Sequence, residues 1–413
     1  MAMLKSRLNQ KGIAGVIEVI IIAVVIGALG FVVWRVIRSN SNTSSKSGNS
    51  QSSLPPEVAS DIPKCSSEPI FNNIPMELSD FRAFRPLGFV NVPIHIFGAK
   101  HSNFAINLPN EHVSGKRVEF PADVTVTNIT STVSASGSGY QITFYPCREF
   151  KSYLFHLGTI SDQLKSEYDK SSPKCQDFTF DASGKITKCE ANTKVKVKSG
   201  DLAGTSDSFG GVDWGAVDYR VTAEYANPDR YDGDYPHYTS PVLYLRQDLK
   251  NKMLSKMGSF DGQVMRTAEP RVGALAQDKS GTAQGNWFMG VKSFKNTQDF
   301  SPFLALIHDY VDPIQPIFSM GSSVKGLNKG IYSFRVESSG LNNRDFSTVK
   351  RDGQVYCYDA WASGLSAGHS PLTTTSGVIL LQMPTDKTLQ VEYQNGSCGT
   401  NRTITANATT FDR

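Results

Sequence analysis

Residues 13–34 read IAGVIEVIIIAVVIGALGFVVW, twenty-two residues with a single charge, Glu18. A helix rises about 1.5 Å per residue, so this stretch is about as long as a bilayer's hydrocarbon core is thick. Whatever follows it is expected to be tethered to a membrane. A cleaved secretory signal has a shorter apolar core, about 7–15 residues, and small residues after it. Here Trp34-Arg35 follows, a pair suited to an interface, with the arginine snorkelling to the headgroups. The expectation is an uncleaved anchor over residues 13–37, after a basic segment 1–12 carrying Lys5, Arg7 and Lys11. Arg35 and Arg38 lie on the far side, a small charge bias that puts the N-terminal segment in the cytoplasm.

Lys11-Gly12 before an apolar run with a glutamate is also similar to a prepilin-type leader, which implies processing at Gly12 and a pilus or adhesion role. That family places its glutamate fifth and continues as a long helix. Glu18 is the sixth residue after Gly12, and polar chain begins at Ser39. Residues 38–62, rich in Ser, Asn and Gly and containing Pro55-Pro56, have too little apolar surface to order themselves and read as a flexible spacer.

About 350 residues follow. All six cysteines, Cys65, Cys147, Cys175, Cys189, Cys357 and Cys398, lie in them. An even number on one side of a membrane fits disulfides in an oxidising exterior and places the bulk of the chain outside the cytoplasm. Cys175 and Cys189 flank an apparent hairpin with its turn at Ser183-Gly184 and are expected to pair. Cys357 and Cys398 share the C-terminal part, which leaves Cys65 with Cys147. Net charge is +4 and dispersed, so no nucleic-acid partner is expected. There is no Gly-x-Ser-x-Gly elbow and no phosphate-cradling glycine loop.

Strand patterns dominate. VEFPADVTVTNITSTV and YQITFYPC alternate around Gly137-Ser138-Gly139. Beyond residue 260, QGNWFMGVKSF, PFLALIHDYV, IYSFRVES, GQVYCYDAW, GVILLQMP and KTLQVEYQ read as further strands. Two helices are expected: SDQLKSEYDK with Ser161 as N-cap, and SPVLYLRQDLKNKMLSKMG with Ser240 as cap, Pro241 at N1 and Gly258 at its end. The second divides the chain into domains 63–239 and 240–413. The whole reads as mainly β, with a sandwich or barrel in the second domain.

Three segments of the first domain, in order, resemble the lysostaphin-like (LytM-type) zinc endopeptidases of cell-wall turnover. KHSNFAINLP, with VEFPADVTV behind it, is similar to the His-x-Gly-x-Asp element and following strand. SYLFHLGTISDQL is similar to the Tyr-x-His-Leu strand and short helix. VKVKSGDLAGTSDSFGGVDWGAVDYRV is similar to the glycine turn and His-x-His strand. The resemblance covers residues 90–225. It implies a β-sheet domain with His101 at the first zinc ligand, Ala105 at the ligand aspartate, His156 at the catalytic histidine, and Ala216 and Asp218 at His-x-His.

A catalytic zinc needs three protein ligands and a water. His101 and Asp218 supply two. The expectation is therefore a degenerate domain that keeps the sheet without the metal: no cofactor, no hydrolysis, and a binding or scaffolding role at the cell envelope. A zinc-dependent peptidoglycan endopeptidase with unusual ligands is the alternative. The old groove would comprise His101, His156 and Asp218, with Trp214, Tyr231 and Tyr235 as an aromatic face for cell-wall peptide or glycan. The plainer reading has His101 and His156 as satisfied core histidines and Asp218 as a turn cap or ion-pair partner.

Asp229–Tyr235, DRYDGDY, brings three carboxylates together and could bind Ca²⁺ in part, or be a solvated loop. Trp287, His308, Asp309 and Asp312, near Gly281 and Gly285, mark the mouth of the second domain or simple turns.

Overall fold

The computed structural model describes residues 61–413, apart from 67–68, 109–110, 136, 181–183, 209, 291–293, 295–298, 360–374 and 400. The anchor read over residues 13–37, Gly12 and nearly all of the spacer lie outside the described residues. Among the described residues, no helix is long and apolar enough to cross a membrane. The last spacer positions already belong to the body: Asp61 pairs with Lys194 at 2.8 Å, and Ile62 is buried.

The body is mainly β, with two short α-helices among the described residues, and lies within one compact unit, Gln51–Arg413. Its first sheet comprises β1 (Ala83–Arg85), β2 (Ser102–Ala105), β3 (Arg117–Glu119), β4 (Val124–Ser134), β5 (Gly137–Cys147), β6 (Phe150–Ile160), β7 (Lys174–Phe180), β8 (Gly184–Val197), β9 (Leu202–Ser206), β10 (Gly211–Asp218) and β11 (Tyr238–Thr239). The order is β1-β2-β10-β6-β5-β4-β8-β7; β9 joins β6 to β3, and β11 joins β10. The alternation expected in β5 is present, and that of β4 is shifted by a bulge between Val126 and Asn128: Val124, Val126, Ile129, Ile142 and Phe144 all enter one core with Phe104, Leu154 and Trp214.

Helix α1 (Asp162–Lys170) starts at Ser161 as expected and presses Leu164 and Tyr168 onto the same core. The second expected helix is interrupted. Pro241–Tyr244 form a single 3-10 turn, Leu245 is extended, and α2 runs only over Gln247–Leu254. The reason is competition for the backbone. The Tyr244 carbonyl accepts from the amides of Ile70 and Phe71, and the Arg246 amide donates to the Phe71 carbonyl. A helical carbonyl and amide at these positions would be tied within the helix instead.

The second sheet comprises β12 (Gly285–Phe288), β13 (Phe303–His308), β14 (Pro316–Met320), β15 (Gly330–Ser333), β16 (Tyr356–Tyr358), β17 (Gly377–Thr385), β18 (Thr388–Asn395) and β19 (Thr409–Asp412). Its order is β15-β14-β13-β12-β19-β18-β17-β16. Strands β14 and β16 stand near opposite ends of that order, yet the Phe318 and Tyr358 rings are 5.2 Å apart. The sheet is therefore curled around its own core, as a half-barrel. Strands β12 to β14 are buried on both faces. Trp287, Leu304, Leu306 and Phe318 fill the curl. Phe288, Phe303, Ala305, Ile307 and Ile317 meet Leu87, Val90, Ile96, Phe97, Tyr231 and Tyr235 in a separate cluster. Burial on both faces is why PFLALI reads as an unbroken apolar run rather than an alternating one.

All three expected disulfides are present: Cys65–Cys147, Cys175–Cys189 and Cys357–Cys398. Cys175 and Cys189 are direct partners in the β7–β8 ladder.

Candidate functional site

Strands β2, β10 and β6 are consecutive in the first sheet, and one cross-strand row runs Arg85, Asn103, Asp213, Phe155 from β1 to β6. The next row on this face, just beyond the start of β2, pairs Gly215 with Tyr153. Trp214, Leu154 and Phe104, in the alternate positions, face the core. The other face is polar.

His101, just before β2, brings Nε2 to 3.3 Å from Asp213 Oδ2. His156 brings its own Nε2 to 3.5 Å from the same oxygen and its Nδ1 to 3.2 Å from Asp207 Oδ2. Asp213 Oδ1 accepts from Asn103 Nδ2 at 2.8 Å. The Tyr153 hydroxyl lies 3.4 Å from His101 Nδ1 and 3.3 Å from the Lys100 carbonyl. The tautomer of neutral His101 that donates from Nε2 to Asp213 leaves Nδ1 as an acceptor, and the single Tyr153 hydroxyl proton is shared between it and the Lys100 carbonyl.

A backbone irregularity delivers His156 to this face. In a regular strand Leu154 and Leu157 would point to opposite faces, yet both are in the core. Between the pairs Ile142–Leu154 and Tyr140–Leu157, β6 has one residue more than β5, which is a bulge. His156 takes the left-handed conformation within it, at φ 63°. That conformation is uncommon for a residue with a side chain and concentrates at functional positions.

The three histidines of this face differ electrostatically. His101 is pushed down to about 3, first by burial and then by the charge of His156. His95, its ring centroid 5.2 Å from that of His101, is also pushed down to about 3, by burial and then by His101. For His156 burial alone would lower the value; Asp213 and Asp207, one at each ring nitrogen, outweigh it and raise the imidazole above its ordinary range. The site thus holds one proton-retaining histidine between two carboxylates, beside two neutral ones. His156 is about one-third exposed, whereas Asp213 is 6% exposed.

The groove expected from the resemblance is divided by the structure. His101 and His156 come together. Asp218 lies at the far end of β10, 2% exposed, where its carboxylate accepts from the Arg220 backbone and guanidinium and from the Tyr244 hydroxyl. Trp214 is wholly buried, its Nε1 donating to Ser152 and its ring parallel to Phe104 at 6.0 Å. Tyr231 and Tyr235 are buried and stacked on each other at 4.2 Å. These aromatics are packing, because their rings fill the clusters on either side of the sheet.

In Asp229–Tyr235, Asp234 pairs with Lys151 and accepts from the Tyr219 hydroxyl, and Asp232 lies 3.8 Å from Lys100. In the second sheet Trp287 is buried under the Arg413 guanidinium. His308 bonds Asp345 at 2.8 Å; burial opposes but His308 overrides, holding that carboxyl well below its usual range. Asp309 and Asp312 cap the turn that follows.

The residues that sequence reasoning missed are Asp213, Asp207 and Asn103. The signal for Asp213 was its place between the core residues Val212 and Trp214. Among the described residues no group of three or more His, Cys, Asp and Glu side chains is arranged to hold a metal ion. Asp213 is engaged by Asn103 and two imidazoles, and Asp218, which the resemblance pairs with His101, is engaged instead by Arg220 and Tyr244.

Compared with known proteins, the chain matches no family model, no curated protein and no solved structure.

Proposed function

We propose that the chain is a non-catalytic binding or scaffolding protein of the cell envelope, tethered to a membrane through residues 13–37 with its body outside the cytoplasm. Its degenerate lysostaphin-like domain holds cell-wall peptide, or a partner that presents similar peptide, on the polar face of the first sheet. One observation carries this reading: the segments that bear the resemblance supply β2, β6 and β10, adjacent strands, with His101 and His156 meeting over Asp213. The three disulfides support an oxidising location. A proton-retaining imidazole, about one-third exposed, offers charge to a ligand on that face.

The test is retention of the detergent-solubilised full chain on insoluble cell wall. Retention above a control protein, weakened by His156→Ala, is expected. Absence of retention overturns the reading. Release of soluble fragments from purified murein, or stoichiometric zinc lost in His101→Ala, replaces it with the peptidase.

A further inference from the structure

In the same cross-strand row as Asn103 and Asp213 lies Arg85. It is 8% exposed and forms no ion pair among the described residues; its guanidinium is hydrogen-bonded to the Tyr310 hydroxyl, and its Nε has no hydrogen-bond partner. The Phe89 ring covers its guanidinium at 3.6 Å, and Phe260 and Tyr310 stand 5.3 and 5.4 Å away. Stacking on a ring recovers part of what a buried cation loses by leaving water, but it supplies no acceptor for an N–H.

Directly across the β1–β2 ladder stands Asn103. Its Nδ2 donates to Asp213, and its Oδ1, on the side of the amide away from that bond, is buried without a partner. Residues opposed in this way have Cβ atoms about 4.5–5.5 Å apart. An unpaired donor and an unpaired acceptor therefore sit side by side under cover, an arrangement that native structures rarely leave unanswered. The guanidinium, without an ion pair, favours an anion; Arg85 and Lys100 add to the depression of His95 and His101, while Asp213 opposes them at His95. His101 and His156, 11% and 32% exposed, open the face to solvent.

We propose that Arg85 and Asn103 form a subsite for the C-terminal residue of a peptide, with the terminal carboxylate on the Nε edge of Arg85 and the preceding amide N–H donating to Asn103 Oδ1. The guanidinium edge matches a carboxylate in a side-on, two-bond geometry. A lone carboxylate answers the donor and not the acceptor, and an internal amide answers the acceptor and not the charge. A free peptide terminus presents both within one residue. This deepens the envelope-binding reading and rests on it for the source of the peptide.

The experiment is calorimetric titration of the detergent-solubilised full chain with three probes: N-acetyl-alanyl-alanine as the free acid, the same dipeptide as its C-terminal carboxamide, and inorganic phosphate. The acid is expected to bind at least tenfold more tightly than the carboxamide, with phosphate no tighter than the carboxamide. Arg85→Gln is expected to abolish the difference between acid and carboxamide. If that variant does not fold, the wild-type chain still decides by NMR. A carboxylate bound at Arg85 offsets its charge, so the acid and not the carboxamide raises the titration midpoints of His95 and His101. Equal affinity for acid and carboxamide, tighter phosphate, or unmoved midpoints overturn the subsite. Wall retention without discrimination removes the subsite alone, and discrimination without wall retention removes the envelope reading alone.

Discussion

Asp213 sets the character of the polar face. It reaches both His101 and His156, and with Asp207 it keeps a proton on His156 against burial. Asp213→Asn is therefore expected to lower the His156 titration midpoint, followed by its ring resonances; an unmoved midpoint means the carboxylate is not the cause. Stability carries the opposite signs of the two kinds of histidine. Between pH 6.5 and about 3 the unfolded chain takes up protons that folded His95 and His101 refuse, so acidification through this window destabilises the fold. The share from His156 is complete below its unfolded value and is lost as pH rises through its raised folded value. His101→Gln removes one refusing site. Its urea midpoint is expected to fall less steeply than that of the wild type from pH 6 to 4. Parallel slopes would mean that His101 is not held neutral.

Strand β10 fits between its neighbours with no slack. A Cβ added at Gly215 would meet the Tyr153 ring at 2.1 Å, so that ring lies across the bare backbone. Gly215→Ala is expected to cost about 1–3 kcal/mol, the range of overpacking in a filled interior. Denaturant titration measures it, and the cost is expected to shrink in a Tyr153→Ala background. A neutral Gly215→Ala, or equal costs in both backgrounds, refutes the clash.

The same strand shows what the sequence could and could not tell. The strands were legible wherever one face is dry and the other wet, as in β4 and β5, and α1 was legible from its cap. In β10 all eight residues are buried, so no polar alternation marks its faces. Its two mid- and end-strand carboxylates, Asp213 and Asp218, are five residues apart and so fall on opposite sides. A pattern matched at Asp218 therefore selects the wrong side for a partner of His101. The interrupted second helix was illegible for a different reason: its backbone is claimed by residues 70 and 71, about 175 positions away.

The two sheets of the body are not independent at the level of packing. The cluster of Phe97, Tyr231, Tyr235, Phe288 and Phe303 joins segments flanking the first sheet to strands β12 and β13 of the second. We expect one calorimetric unfolding transition for the disulfide-intact chain; two resolved transitions would divide the body into separately folding halves. Near its start the body is clasped. The Pro63 and Ile62 carbonyls accept from Arg148, the Cys65 amide donates to Glu149, and Cys65 is joined to Cys147 across 82 positions. Tension arriving from upstream of residue 61 thus reaches Cys65 and crosses directly through sulfur to the β5–β6 corner. The intervening chain, about 280 Å if drawn out, is bypassed by the pull and stays furled until a reductant severs the shortcut.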